Sequence, residues 1–384
     1  MNRCVRIFIL LFLLFTSFTY QRIHAQSFTL YLDEILTIGQ EYSESSEYLF
    51  GTIMHIKKLE NGNILVTDRS DNSLRIFDEN GVFQFQMGGR GRGPGEFHEI
   101  TSVEVTDDGE ILVMDRFQAR VTVFSVEGEL ITTKMLGGEN MAVTQFIYKK
   151  SNTDQFYVGY KEFGAENDTG HFFHLFDEKL QKKQSQHLSV FDYFFDSNDP
   201  FEFAISRPPT YRSVRFGESN IALSPTLYTG SLAIFNTITL EENLFGDSID
   251  DFYQLYDWET RERHQQSDQV GFASISDQRS HFFFWQKGNT YSLLGNRQLL
   301  LHFIGFPEGD TIRPHLIIYS AQGEELASLS LEDHDIPFLR DNMLMTVIPA
   351  FLDDDHRLYL ADMYFDDSYP VVRVFETNLG ELLE

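Results

Sequence analysis

Short apolar runs separated by turn-forming residues make up most of the chain beyond its first 25 residues. Between positions 52 and 88 these runs are 52–56, 64–67, 74–77 and 82–85, and several of them alternate apolar with polar residues. Asn-Gly or Asp-Asn pairs stand between the runs, at 61–62, 71–72 and 80–81. Asn and Gly supply the positive φ angles that tight turns need. The pattern therefore predicts four short strands joined by tight turns, which is an antiparallel meander.

This meander is duplicated without a gap. The sequence Ile-Leu-Val-Thr-Asp-Arg at 64–69 recurs 47 positions later as Ile-Leu-Val-Met-Asp-Arg at 111–116. The same spacing relates three further pairs, Gly62 with Gly109, Phe77 with Phe124 and Gly81 with Gly128. Self-similarity at about 40–50 residues indicates a repeat architecture. A lone four-stranded sheet cannot bury both faces, so we expect the copies to stack around an axis as the blades of a β-propeller.

More diverged copies follow along the chain. Paired strand-like runs indicate a third, a fourth and a fifth unit, at 156–158 with 174–177, 220–223 with 232–235, and 299–303 with 316–319. A clear last unit covers 353–380 and has Asp362 where the first two units have Asp68 and Asp115. We therefore predict an all-β fold, a six-bladed β-propeller of four-stranded antiparallel blades. Seven blades are the alternative.

Three other stretches carry expectations about the fold. Residues 28–38 alternate like a strand, and we expect them to complete the last blade. The stretch 241–268 interleaves apolar residues with many charges, which predicts an inserted loop or helix over the ring. The aromatic run 281–285 predicts a buried blade strand, with an exposed sugar-binding patch as the alternative.

The first 25 residues predict a secretory signal peptide. Arg3 and Arg6 precede an apolar stretch at 7–15, and Ala25 stands at a suitable cleavage point. An uncleaved membrane anchor is the alternative. Cys4 is the only cysteine and precedes the apolar stretch, which is a poor position for lipid attachment. We expect residues 26–384 to form a single β-propeller domain, periplasmic or extracellular, that packing alone must stabilise without disulfides.

The charge balance is strongly acidic. The net charge is −28, and removal of residues 1–25 takes away three Arg and no acid, leaving 27 basic and 58 acidic residues, or −31. Such a surface repels phosphate backbones, so we expect no nucleic-acid partner. The 42% hydrophobic and 15% aromatic content indicates a large core. No later stretch is long and apolar enough for a membrane span, so none is expected after signal cleavage.

A glycine-rich connector joins the first two units. Residues 88–97 read Gly-Gly-Arg-Gly-Arg-Gly-Pro-Gly-Glu-Phe, and Asp-Asp-Gly at 107–109, Asp-Arg at 115–116 and Val-Phe at 123–124 follow. Over about 48–136, and again over 346–384, this pattern resembles an NHL repeat. It is also similar to six-bladed β-propeller proteins exported by Bacteroidetes-type bacteria, where a similar loop joins early blades. The resemblance implies an exported propeller that binds a ligand, and it implies no particular activity.

The connector does not match a nucleotide-binding loop. It lacks the Gly-Lys-Ser/Thr ending, and no helix signal follows it. Its glycines are predicted to supply unusual φ angles in a tight crossing between blades.

Propeller geometry brings four arginines to one rim. In each blade the loop between the second and third strands emerges on the same face as the connector to the next blade. This places Arg69, Arg90, Arg92 and Arg116 together. They could bind a carboxylate or another anion through bidentate guanidinium contacts. Alternatively, they brace the loops by pairing with Asp68 and Asp115.

The repeated acids Asp68, Asp115 and Asp362 also allow two interpretations. They could hold an axial divalent cation such as Ca²⁺, as in six-bladed propellers of the gluconolactonase type. Alternatively, they accept hydrogen bonds from turn amides at strand ends. The acidic run at 353–355 predicts solvated charge at a hairpin tip.

No catalytic motif accompanies these features. Neither His-Glu-x-x-His nor Gly-x-Ser-x-Gly occurs, and His171 and His174 look like strand residues. The leading hypothesis is therefore an exported binding or scaffold protein that recognises a protein, peptide or glycan on the rim of the connector, without a cofactor. The alternative is a metal-dependent enzyme of the gluconolactonase-like type. A purely structural assembly component is the third possibility.

Overall fold

The structure of the protein is a computed structural model. It describes residues 28–384 except 43, 138–143, 163–170, 187, 190–210, 227–229, 247–254, 257–269, 275–280, 286–288, 309–310, 334–346 and 366–368. The predicted signal peptide lies outside the described residues.

The duplicated meander forms two equivalent blades. After strand β1 (Leu32–Ile38), the first blade comprises β2 (Ile53–Lys58), β3 (Ile64–Asp68), β4 (Ser73–Phe77) and β5 (Phe83–Gly88). The second comprises β6 (Ile100–Val105), β7 (Ile111–Asp115), β8 (Arg120–Phe124) and β9 (Leu130–Met135). The copies share their register, because Ile64 pairs with Phe77 as Ile111 pairs with Phe124. The sequence repeat is thus a repeat of strand pairing.

The middle blades follow the same plan. The third comprises β10 (Phe146–Lys149), β11 (Phe156–Glu162), β12 (His171–Phe176) and β13 (Lys182–Gln186). The fourth comprises β14 (Tyr211–Phe216), β15 (Asn220–Pro225), β16 (Leu232–Asn236) and β17 (Glu242–Phe245). As predicted, His171 and His174 are strand residues.

A small separate sheet precedes the last two blades in the chain. It contains β18 (Leu255–Tyr256), β19 (Val270–Ser274) and β20 (His281–Trp285), with β20 in the middle. The fifth blade comprises β21 (Asn289–Gly295), β22 (Leu299–Glu308), β23 (Thr311–Ser320) and β24 (Glu325–Ser330). The sixth contains β25 (Val347–Leu352), β26 (Leu358–Phe365) and β27 (Tyr369–Thr377). Short 3-10 turns occupy Ser46–Tyr48, Leu331–Asp333 and Leu379–Leu383.

The N-terminal strand completes the sixth blade, as predicted. Strand β1 pairs antiparallel with β27, with Leu32 opposite Thr377 and Ile38 opposite Val372. The first strands of neighbouring blades contact one another, including β25 with β2, so these strands surround the axis and the ring closes. Within the described residues there are six four-stranded blades. The protein is a six-bladed β-propeller, and the seven-bladed alternative is wrong.

Apolar side chains fill the spaces between consecutive blades. Six core clusters are found in the described part of the chain, and each draws its residues from two adjacent blades. Strand β3 contributes side chains to two of these clusters. Ile64 and Val66 pack towards the sixth blade, and Leu65 packs towards the second. Side chains of a strand alternate between its faces, so one buried strand contributes to two interfaces.

Glycines in the third hairpin of several blades allow close packing on the preceding blade. A Cβ on Gly128 would lie 2.6 Å from Cε2 of Phe85, on the outer strand of the first blade. A Cβ on Gly323 would lie 2.8 Å from Cζ of Phe245 in the fourth. The repeated glycine therefore serves the blade interface as well as the positive φ of its turn.

Two expectations need correction. Residues 242–245, in the predicted insert 241–268, form the outer strand of the fourth blade because they pair with β16. Most of the remaining insert lies outside the described residues. The run 281–285 is a strand, but it belongs to the three-stranded sheet rather than to a blade.

The acidic hairpin tip is also not uniformly solvated. Asp353 is 3% exposed. It accepts hydrogen bonds from the backbone N–H groups of Asp355 and Arg357 and binds Nζ of Lys58 at 2.9 Å. The prediction of solvated charge is therefore wrong for Asp353, which joins the sixth blade to the first. No helix among the described residues has the length and apolarity for a transmembrane segment.

Candidate binding rim and axial channel

The glycine-rich connector between β5 and β6 is an ordered loop held by its own backbone. Gly88, Gly89 and Gly95 have φ angles of 77°, 136° and 76°, as the glycine pattern predicts. Phe97 donates its backbone N–H to Gly89 O at 2.8 Å, and its carbonyl accepts from Gly91 N at 3.0 Å. The ring of Phe97 is fully buried between the first two blades. The connector is therefore anchored at its end.

One arginine of the second blade fixes the middle of the connector. Arg120, on β8, is 7% exposed. Its guanidinium donates to the carbonyl oxygens of Arg92 at 3.3 Å, of Gly93 at 3.0 Å, and of Glu96. A loop fixed in this way loses little conformational entropy when it binds a ligand. The first unit has Ser73 at the equivalent position, so this contact is specific to the second copy.

Two of the predicted rim arginines meet at Glu99. Arg69 Nη2 lies 3.1 Å from Oε1 of Glu99, while Arg116 donates from Nε and Nη2 to Oε2 at 3.0 and 2.8 Å. Arg69 belongs to the first blade and Arg116 to the second, so the shared acid connects the two loops. The acid is Glu99, and not Asp68 or Asp115 as the bracing hypothesis supposed.

The other two predicted arginines are more accessible. Arg90 and Arg92 are both exposed. Among the described residues, the Arg90 guanidinium donates only to the carbonyl of Ser70, at 3.3 Å. Arg92 forms no hydrogen bond or ion pair through its side chain with any residue that the structure describes. Their guanidinium groups are therefore available to an anionic ligand.

An exposed aromatic residue stands beside Arg116. Phe117 is 61% exposed. The guanidinium carbon of Arg116 lies 4.9 Å from its ring centroid, and the His98 ring meets it edge-on at 4.8 Å. Sequence reasoning missed Phe117 and His98. The available signal was the repeat itself, because Phe117 replaces Ser70 of the first copy. We call Arg69, Arg90, Arg92, His98, Arg116 and Phe117 the connector rim.

The repeated acid Asp68 organises the loops beneath this rim. Its side chain is fully buried and accepts from the backbone N–H groups of Gly51, Thr52 and Ser70 at 2.8–2.9 Å. Nη2 of Arg75 lies 3.4 Å from Oδ2. These contacts match the hydrogen-bonding interpretation of the repeated Asp.

Asp115 and Asp362 occupy equivalent strand ends with different partners. Asp115 accepts from the backbone N–H of His98 at 2.6 Å and of Gln118 at 3.0 Å. Asp362 lies 3.4 Å from Nη1 of Arg373. No three His, Cys, Asp or Glu side chains among the described residues are grouped as a metal site would require. The three acids are separately engaged by protein donors, so their arrangement does not fit a divalent cation.

Charged residues also meet at the axis. Glu104, on the innermost strand of the second blade, is 4% exposed and forms an ion pair with Arg215 of the fourth blade. Lys149 donates its backbone N–H to Glu104 at 2.7 Å. Burial raises the pKa of Glu104 to about 7, because the cost of removing its carboxylate from water exceeds the opposing effects of Arg215 and Lys57.

Comparison with known proteins identifies the same architecture. A family model described as DUF5128, 6-bladed beta-propeller, matches residues 43–204. A protein from Bacteroides fragilis NCTC 9343, described as exported, is similar over 91% of this chain and 97% of its own, with a TM-score of 0.58 and 14% identity. A member of the duf4221 family from Bacteroides vulgatus ATCC 8482 is similar over 92% of this chain and 99% of its own, with a TM-score of 0.53 and 11% identity. No curated protein matches. At these identities the structural likeness shows the fold, and the NHL designation stays a resemblance of the sequence.

Proposed function

We propose that this chain is an exported binding protein that recognises an acidic peptide segment of a partner protein on the connector rim. The observation that carries the proposal is the exposed Phe117 ring with Arg116 and His98 against it. Aromatic and arginine side chains are enriched among the residues that dominate binding energy at protein interfaces. A site of this composition suits a peptide that offers both an apolar side chain and a carboxylate.

The charges of the rim support the same ligand class. The chain carries a net charge of −28, yet the rim presents Arg90 and Arg92 without an acidic partner among the described residues. A cationic patch attracts an acidic segment, whereas the acidic remainder of the surface repels it, so the charge distribution directs such a ligand to the rim. The predicted signal peptide, together with the description of the similar B. fragilis protein as exported, supports a location outside the cytoplasm.

The test is a binding screen with defined probes. The purified chain without residues 1–25 is applied to an array of acidic peptides, to their versions with Asn and Gln in place of the acids, and to a glycan array. We expect binding to the acidic peptides only. Binding confined to the glycan array would overturn the proposed ligand class.

Variants then locate the site. Phe117→Ala and Arg92→Ala should each weaken peptide binding at least tenfold, because a buried aromatic contact or a charged hydrogen bond is worth roughly 1.5–3 kcal/mol. Arg297→Ala is the matched control, since this arginine is also exposed but stands in the β21–β22 loop on the opposite face. Equal affinity of all three variants and the original protein would exclude the connector rim as the site.

A further inference from the structure

Two opposed inner strands carry basic residues at the axis. His55 and Lys57 lie on β2 of the first blade, and Arg212 lies on β14 of the fourth. In a six-bladed ring these two blades face each other across the channel. His55 pairs with Thr67 and Arg212 with Ser224, and each partner is the penultimate residue of its strand. His55 and Arg212 therefore lie at the same depth below the connector rim.

These basic groups have unsatisfied side chains within the described part of the chain. Neither Lys57 nor Arg212 forms a side-chain hydrogen bond or ion pair with a described residue. The Lys57 ammonium lies over the Phe351 ring, 5.4 Å from its centroid. Nε2 of His55 is buried and has no hydrogen-bond partner among the residues that the structure describes. A buried ring nitrogen without a partner, such as Nε2 of His55, is costly to the folded state.

The charges of these basic side chains also affect one another's pKa values. Burial, reinforced by the positive charges of Lys57 and Arg212, lowers the pKa of His55 to about 3. Burial and then Arg215 lower the pKa of Lys57, against the opposing charge of Glu104. Burial lowers the pKa of Arg212, although solvent reaches its side chain. Arg212 is therefore accessible to a ligand from solution.

Nearby acids do not neutralise this cluster. Glu104 is the acid that acts on Lys57, and it is already ion-paired with Arg215. Lys57 and Arg212 thus leave an excess of positive charge at the centre of an acidic protein. An anion in the channel would supply the missing hydrogen bonds and the missing charge together.

We propose that the axial channel is a binding site for a small-molecule oxyanion, a carboxylate or a phosphate, held by Lys57, Arg212 and His55. The guanidinium of Arg212 donates two hydrogen bonds to two oxygens of the ligand, and Lys57 supplies a second positive charge. His55 stays neutral and donates from Nε2–H. The site uses no residue of the connector rim, so it is independent of peptide binding there.

The test measures thermal stability of the chain without residues 1–25 at constant ionic strength. Inorganic phosphate, sulfate, succinate and citrate are titrated separately, with sodium chloride as the reference. We expect a saturable rise in melting temperature with at least one oxyanion and none with chloride, and the comparison of phosphate with the carboxylates identifies the preferred group. A response to every oxyanion equal to that of chloride would overturn the proposal.

Variants distinguish this site from other cationic surfaces. Arg212→Gln and Lys57→Met should weaken the anion affinity at least tenfold. Arg212→Lys should weaken it less, because lysine keeps the positive charge but cannot donate two parallel hydrogen bonds. Arg297→Gln and Arg92→Ala should retain the full effect. Retention by Arg212→Gln and Lys57→Met, or loss in Arg92→Ala, would place anion binding elsewhere. Because Lys57→Met removes an unpaired charge, it should not lower the melting temperature in anion-free buffer, and a lower value would count against an unpaired Lys57.

Discussion

Arg215, on the innermost strand of the fourth blade, forms an ion pair with Glu104 on the innermost strand of the second. The pair joins blades that are not neighbours. The same guanidinium donates to Oγ of Ser151, in the third blade, at 3.1 Å. One side chain therefore connects three blades where their inner strands meet.

Replacement of Glu104 by Gln should change how stability depends on pH. The pKa of Glu104 is raised from 4.5 to about 7, so the folded state keeps a proton that the unfolded state releases. The free energy of unfolding contributed by this group therefore falls as pH rises from about 4.5 to about 7. Over this pH window the unfolding free energy of the original protein should fall by roughly 3 kcal/mol relative to that of Glu104→Gln, because one pKa unit corresponds to about 1.4 kcal/mol.

Urea denaturation of both proteins at pH 4.5, 6 and 8 measures this difference. The substitution also alters the contact with Arg215, so the two proteins differ in stability at every pH. The proton on Glu104 is therefore reported by how this difference in unfolding free energy varies with pH. Parallel pH profiles would show that Glu104 is ionised in the folded protein throughout this range.

Asp68→Ala should be strongly destabilising. The carboxylate accepts three backbone N–H groups and one hydroxyl, and its loss would leave buried donors unsatisfied. The expected loss is roughly 3 kcal/mol, whereas Asp154→Ala, at an exposed acid, should change stability by less than about 0.5 kcal/mol. Chemical denaturation checks both values, and equal stability of the two variants would contradict the hydrogen-bonding role.

Calcium should leave the melting temperature unchanged. The oxygens of Asp68 and Asp115 already accept protein hydrogen bonds, and a cation would have to displace those donors. Differential scanning fluorimetry measures the melting temperature as Ca²⁺ is titrated. For a site with a micromolar Kd, a Ca²⁺ concentration roughly 100 times the Kd would raise the melting temperature by a few degrees. A shift abolished by Asp115→Asn would revive the gluconolactonase-like alternative.

Gly128→Ala should cost more than Gly62→Ala, although both glycines have φ angles between 85° and 88°. Alanine at Gly62 meets nothing within 4 Å, so only the backbone conformation opposes it, at about 1 kcal/mol. Alanine at Gly128 also meets the Phe85 ring at 2.6 Å, and we expect a total of roughly 2–3 kcal/mol. In the double variant with Phe85→Ala this additional cost should disappear, which a double-mutant cycle would measure.

Arg373→Met should weaken the closure of the ring. Arg373 is 7% exposed and binds both Asp362 and Glu34, the latter on the N-terminal strand. Removal of the arginine leaves Asp362 buried without its cation, which costs roughly 3 kcal/mol. Arg357→Met is the control, because its pair with Glu376 is longer, at 3.6 Å, and exposed. Similar melting temperatures for both variants would argue against a closing role for Arg373.

The fold could be predicted from sequence because the 47-residue copies preserve local features. The turn at Gly62, the strand ending at Asp68 and the hairpin at Gly81 are each encoded within a few residues and then repeated. The pairing of β1 with β27 could also be predicted, since an alternating strand without a neighbour of its own fits an incomplete last blade.

The site residues depend on contacts that local patterns do not encode. Glu99 joins loops of two blades, and Arg215 reaches past the third blade to Glu104, so both partners are determined by ring geometry. Asp353 looked like a solvated acid because its sequence neighbours are acidic. Its partner Lys58 lies in the first blade and is brought close only when the ring closes.

Because β1 and β27 pair the two ends of the described chain, the sixth blade cannot form during synthesis until the C-terminal strand has left the ribosome. A product that lacks β1 or β27 exposes an unpaired strand edge, which favours aggregation or recognition by proteases. A circularly permuted gene that opens at the 106–110 hairpin and joins β27 to β1 through a linker would move this vulnerable edge to the second blade and leave the sixth continuous.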